Sequence, residues 1–234
     1  MNAMLALSGL QVDAGGRRLL GPLDLQLAAG ECLALVGESG SGKSLTGLGL
    51  LGLLPAGLRA QGRLQVDGRE VAVGGTAHAA LRGRVIGWVP QDPLAALHPM
   101  RRIGEQIIET LRVLRGLSRD AARVEAGSLL ARVELDRIDA LARYPHQLSG
   151  GQRQRALIAL SLASAPRFLV ADEPTSALDP RLARDVLRLL DRLRAELGLG
   201  LLLVSHDLPL VAAHAQRLMV LRQGACVERG ATAA

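Results

Sequence analysis

Gly37-Glu38-Ser39-Gly40-Ser41-Gly42-Lys43-Ser44 fits the pattern G-x-x-x-x-G-K-[ST], in which the backbone N–H groups of a glycine loop cradle phosphates. Lys43 can reach the β- and γ-phosphates of a nucleotide, and the Ser44 hydroxyl can bind Mg²⁺. Of the 28 basic residues, Lys43 is the single lysine. It falls where a compact ammonium on a flexible stem serves better than a planar guanidinium. Asp172 and Glu173 follow an apolar run, Phe168-Leu169-Val170-Ala171. A carboxylate at such a strand end can hold Mg²⁺ opposite Ser44, and its neighbour can orient or deprotonate an attacking water. Gln91, after another short apolar run, offers an amide oxygen to Mg²⁺ and an N–H to water. His206 ends a third run and can contact a γ-phosphate. Ser205-His206-Asp207 is no hydrolase triad, since three consecutive residues cannot converge on one substrate atom.

Ser149-Gly150-Gly151-Gln152 opens a helical pattern and forms a second anion site at a helix N-terminus. A glycine loop of the 37–44 kind already surrounds its phosphates within its own chain. A second such site makes sense if it closes on a nucleotide held by another chain.

The elements that must position these groups are legible. Glu31–Val36 reads as a buried parallel strand before the glycine loop, and the leucine-rich stretch from Leu45 reads as a helix ending by Pro55. Residues 5–30 read as short strands around a Gly15-Gly16 turn, with Leu23, Leu25 and Leu27 alternating with polar residues. Residues 62–68 alternate again and end in an Asp-Gly turn, a strong hairpin signal. Val85–Val89 reads as a buried strand. Ile103, Ile107, Leu111 and Leu114 repeat at helical spacing, as do Leu129, Leu130 and Val133 after a Ser118 N-cap. Asp179-Pro180 is a helix start with Asp as N-cap, and Leu182, Val186, Leu189, Leu190, Leu193 and Leu197 form its apolar stripe. Residues 201–204 give a last core strand, and 218–221 and 225–227 flank a Gln223-Gly224 turn. The fold class is α/β: a mainly parallel sheet, an N-terminal antiparallel β subdomain and an inserted helical subdomain. One domain is expected over 1–234, with a core of 1–91 and 155–234 and helices over about 92–154.

Nearly half of the 234 residues are apolar, yet Trp88, Tyr144 and Phe168 are the only aromatics, so the core must be Leu, Val and Ala. The net charge of +6 would suit an acidic partner. The arginines are scattered and paired with acids, as over 181–194, so no nucleic-acid partner is expected. Cys32 and Cys226 lie far apart without metal-type spacing and read as buried thiols of a reducing compartment. The N-terminus has no signal-peptide pattern, and no stretch approaches the length of a membrane span.

Taken together, the motifs resemble those of the ATP-binding cassette (ABC) ATPases along essentially the whole chain. Leu148-Ser149-Gly150-Gly151-Gln152 resembles the family signature, Pro90-Gln91 its Q-loop and Asp172-Glu173 its Walker B strand end with catalytic glutamate. Ser176-Ala177-Leu178-Asp179 resembles the D-loop and His206 the switch histidine. The resemblance implies two such domains sandwiching two ATP molecules head to tail, with Mg²⁺, and places Asp179 at the nucleotide. Gln91–Pro99 and Ile103–Ile107 are similar to the ATPase subunits of peptide and nickel importers, where Asn usually stands at the position of His98. Leu54–Gly57 resembles the nickel and dipeptide branch. This implies a peripheral subunit on the cytoplasmic face of the membrane, paired with a second ATP-binding subunit in a homo- or heterodimer. Integral membrane permease subunits would dock near residues 92–115, with a substrate-binding protein acting indirectly. The alternative is a soluble ABC-type ATPase acting on nucleic acid or ribosomes.

Two departures stand out. The family usually places an adenine-stacking aromatic near residues 12–15, and Val12-Asp13-Ala14-Gly15 has none. Binding is then expected to rest mainly on phosphates and Mg²⁺. Peptide-importing members also usually carry a longer C-terminal tail, so an end at Ala234 favours a nickel-type or short variant, or a truncated chain.

Overall fold

The structure, a computed structural model, describes residues 4–232 apart from the side chain of Arg137. The chain opens with β1 (Met4–Ala14), β2 (Arg17–Ala28), β3 (Cys32–Gly37), α1 (Lys43–Leu51), β4 (Leu58–Val66) and β5 (Arg69–Ala72). It continues through α2 (Thr76–Ala79), β6 (Ile86–Val89), α3 (Pro93–Ala96), α4 (Ile103–Arg115), α5 (Arg119–Arg132) and α6 (Gly150–Leu162). It closes with β7 (Phe168–Asp172), α7 (Pro180–Leu197), β8 (Gly200–Ser205), α8 (Leu208–Ala212), β9 (Arg217–Arg222) and β10 (Ala225–Ala231).

Two sheets result. An antiparallel sheet runs β2-β1-β4-β5, with the Gly15-Gly16 and Asp67-Gly68 turns joining its hairpins as the turn residues require. The second runs β10-β9-β3-β8-β7-β6 and is parallel except for β10 at its edge. The central strands β3, β8 and β7 are buried along almost their whole length because both faces are covered. Alternate residues then serve different cores. Cys32, Ala34, Val36, Leu201 and Leu203 join a cluster with α4, α5, α6 and α7. Leu33, Leu35, Leu202 and Val204 join the antiparallel sheet and α1.

Helix ends follow their caps. The Ser118 hydroxyl accepts from Ala121 N–H at the start of α5, and Asp179 accepts from Arg181 and Leu182 N–H at the start of α7. Several expectations are corrected. Leu182 and Leu197, read as part of the α7 stripe, are 37% and 41% exposed, because they occupy its first and last turns, beyond the cover of the sheet. Val85–Val89, read as a buried strand, forms a strand only over Ile86–Val89, which lies at the sheet edge and leaves Trp88 half-buried. Cys32 is buried, with its thiol pushed up to about 12 by desolvation, whereas Cys226 on edge strand β10 is half-buried. The boundary drawn at 154/155 falls inside α6, one continuous helix. Among the described residues no helix is long and apolar enough to cross a membrane.

Candidate phosphate and water-activation site

Strands β3, β8, β7 and β6 lie side by side and parallel, so their carboxyl ends share one edge of the sheet. Ligands of open α/β sheets bind at such an edge. The 37–44 loop follows β3, His206 follows β8, Asp172 and Glu173 close β7, and Gln91 follows β6. Residues scattered over the sequence are thus gathered into one row.

The loop enters α1 with Gly42 in a left-handed conformation, φ 104°. A Cβ there would sit 2.8 Å from Leu20 Cδ1, and one at Gly37 would collide with the carbonyl oxygen of Leu221. Gly224 N–H donates to the Ser41 carbonyl at 3.0 Å, so the β9–β10 turn clamps the loop from outside. Lys43 is 4% exposed; its ammonium donates to the carbonyls of Gly37 at 2.8 Å and Glu38 at 2.9 Å, and lies 3.9 Å from the Glu173 carboxylate. The Ser41 hydroxyl is buried with no hydrogen-bond partner. A buried unmatched hydroxyl costs about 1–3 kcal/mol, which an acceptor such as a phosphate oxygen would offset.

Ser44 Oγ donates to Asp172 Oδ1 at 3.2 Å, uniting the two side chains expected to hold Mg²⁺. Burial pushes the Asp172 carboxyl above the ordinary carboxylate value, an effect that the Ser44 hydrogen bond and the Lys43 charge oppose and the Glu173 charge reinforces. A buried carboxylate short of positive charge beside a hydroxyl suits a hard divalent cation, which takes its remaining oxygens from substrate phosphates and water. Among the described residues, no group of three or more His, Cys, Asp or Glu is gathered to hold a metal by protein ligands alone.

The raised Asp172 value carries a sign. The native state binds this proton more tightly than the unfolded chain does, so stability falls as pH rises through the native value. Asp172→Asn is therefore expected to raise the melting temperature of the nucleotide-free protein at neutral pH by a few degrees. The gain should shrink as pH drops towards the ordinary 3.8 of aspartate. Thermal melts in EDTA across pH check this; an unchanged or lower melting point at neutral pH would overturn it.

Glu173 is the node of the water-activating group. Its backbone has φ 44°, a left-handed conformation that a non-glycine residue adopts at a cost of about 1–3 kcal/mol. Its Oε2 lies 3.2 Å from His206 Nδ1 and accepts from Gln91 Nε2 at 3.4 Å. Gln91 Nε2 also donates to Ser176 Oγ at 3.3 Å, so its amide nitrogen, rather than its oxygen, faces the carboxylate. A cleft of about 250 Å³ opens beside this group, with Ser176, Arg184, Ser205 and His206 in its walls. Arg184 carries no motif signal and could be found only once α7 was placed.

Ser149 and Gln152 form a capping box at the start of α6: Ser149 Oγ accepts from Gln152 N–H at 3.3 Å and Gln152 Oε1 accepts from Ser149 N–H at 2.9 Å. The first-turn N–H groups of Gly150 and Gly151 have no intrahelical partners. Asp179, expected at the nucleotide, spends its Oδ1 on the α7 cap. No hydrogen bond or ion pair among the described residues joins 149–152 to the 37–44 loop. At His98, an exposed residue, Nδ1 accepts from Met100 N–H at 3.2 Å. The imidazole thereby closes the turn as an asparagine side chain would.

The family model described as "ABC transporter" matches residues 20–176. A putative peptide import ATP-binding protein of Brucella abortus is 44% identical over 217 residues, covering 89% of this chain and 64% of that protein. The uncharacterized ABC transporter ATP-binding protein YejF of Escherichia coli is 40% identical over 91% of this chain and 41% of its own length. The glutathione import ATP-binding protein GsiA of the same species is 42% identical over 89% and 35%. The chain thus spans less than two thirds of each of these relatives. Among solved structures, CbiO1 of Clostridium perfringens superposes with a TM-score of 0.86 at 26% identity, over 99% of this chain and 90% of that one. A dimeric ATP-binding cassette in a post-hydrolysis state, bound to ADP and Pi, superposes with a TM-score of 0.82 at 28% identity, over 98% and 99%.

Proposed function

This chain belongs to the ABC transporter family, and from that premise we propose that it is the ATP-hydrolysing, energy-coupling subunit of an importer. The observation that carries the reading is the convergence of the 37–44 loop, Asp172, Glu173, Gln91 and His206 on one sheet edge, with a second phosphate-binding segment standing apart on α6. Lys43 and the loop N–H groups hold the β- and γ-phosphates. Ser44 and Asp172 would hold Mg²⁺, which supplies charge neutralisation at the phosphate oxygens. Glu173 takes the proton of a water aimed at the γ-phosphate, while His206 contacts that phosphate and Gln91 keeps the carboxylate oriented. Ser149–Gln152 closes on the nucleotide of a second ATP-binding subunit, head to tail, with Asp179 at the same interface.

Closure would move the helices of residues 92–154 and, with them, the permease. An apolar groove of about 390 Å³ runs beside edge strand β6, with Trp88, Pro90, Ala96, Leu114 and Leu157 in its walls. Exposed Leu94 and Met100 flank it in sequence. It supports the reading that a permease helix docks near residues 92–115, on the cytoplasmic face of the membrane, with a substrate-binding protein delivering cargo from the other side.

The names of the relatives, peptide import and glutathione import, support peptides as the cargo. Uptake in a deletion strain tests this: loss of peptide uptake, restored by the wild-type gene, is the expected result. Loss of Ni²⁺ uptake alone would move the cargo to nickel. Unchanged transport, together with failure of permease subunits to co-purify in detergent, would defeat the importer reading.

A further inference from the structure

A concavity of about 660 Å³ lies at the tip of the β1–β2 hairpin, and its walls hold Asp13, Arg18, Arg59 and Gln61 around glycine backbone. No aromatic ring reaches it. Phe168 is buried in the core, Trp88 lines the groove beside β6, and Tyr144 stacks on His146 with ring centroids 5.5 Å apart. The pocket is close to the phosphate loop. Leu20, two residues along β2 from Arg18, is the side chain that a Cβ at Gly42 would meet at 2.8 Å. Two residues of strand carry the chain about 7 Å, a gap that the ribose of a nucleotide held by the loop can bridge.

The walls are ordered for a flat ligand. Asp13 pairs in register with Arg18 on one side and Arg59 on the other, across three adjacent strands. Arg18 Nε donates to Asp13 Oδ1 at 3.0 Å, so one edge of its guanidinium is tied to the neighbouring strand while the side chain stays half exposed. Arg59 makes no ion pair or side-chain hydrogen bond among the described residues. Gly15, Gly16 and Gly57 line the same concavity, and a Cβ at any of them would meet nothing within 4 Å, so this rim of it is open. Bases stack on guanidinium planes as they do on aromatic rings.

We propose that Arg18, with Arg59 beside it, is the platform on which the base of the bound nucleotide rests. This rests on the reading that the 37–44 loop takes ATP, and the test separates the two. ATP and inorganic tripolyphosphate are titrated into the full chain, its Arg18→Ala/Arg59→Ala variant and an Arg18→Tyr/Arg59→Ala variant. The alanine pair should lose about tenfold or more in ATP affinity and hold tripolyphosphate within about threefold. The tyrosine variant should regain most of the ATP affinity, which lost charge alone would not permit. Equal ATP affinity in the alanine pair, a parallel loss of both ligands, or no recovery with tyrosine each overturns the proposal. Wild-type protein that binds neither ligand would instead sink the functional reading.

Discussion

Glu173→Gln will bind ATP as the wild type does and hydrolyse it about 10²–10⁴-fold more slowly, the range that loss of a general base produces. The amide keeps the size and shape of the carboxylate, and of the carboxylate's contacts only the approach of Lys43 depends on charge alone. Gln91 Nε2 can still donate to the remaining carbonyl oxygen, and the Lys43 ammonium, 3.9 Å away, keeps its two carbonyl acceptors in the loop. What is lost is the capacity to take a proton from water. With binding intact and turnover blocked, ATP should hold two chains together, so size-exclusion chromatography in ATP should show a dimer that the wild type shows only transiently. Undiminished phosphate release would remove Glu173 from the chemistry, and the left-handed backbone at that position would need another explanation.

Lys43→Ala should weaken ATP binding by about 30-fold to several thousand-fold, the 2–5 kcal/mol associated with truncating one partner of a buried charge pair. The ammonium is nearly inaccessible and sits between the carbonyls of Gly37 and Glu38, at the place where a triphosphate would exchange those acceptors for its own oxygens. Lys43→Arg should not rescue it, because a planar fork of five donors cannot be turned into a site shaped for a point charge. Calorimetric titration with ATP, and with adenosine as control, reads the effect. An alanine variant that binds ATP within a few-fold of wild type, or a wild type that binds ATP no better than adenosine, would show that the loop is not the phosphate cradle.

The legible part of this protein was the part written locally. The strand–loop–helix around Lys43, the Asp179 cap and the alternation in β2 each depend on neighbours a few residues away, and each stands where it was read. The gathering of Gln91, Asp172 and His206 beside the loop followed from the rule that parallel strands present their ends on one edge. Partners of the loop from distant sequence were not legible. Leu221 and Gly224, which press on Gly37 and Ser41, look like an ordinary hairpin turn until β9 is known to pair with β3. Nor could any spacing reveal that Arg18, Asp13 and Arg59 form a row, because strand register with its bulges is set by three-dimensional packing.

That clamp on the loop also fixes when the site can exist during synthesis. Strand β3 leaves the ribosome early, yet its two neighbours in the sheet, β8 and β9, lie far downstream and are made only after α7. The loop's outer contacts come from the turn that follows β9. Contacts so distant in sequence form late, after the cost of closing a long loop has been met. A nascent chain therefore displays the complete glycine motif long before it has a nucleotide site, and it gains that site only when the β9–β10 hairpin arrives.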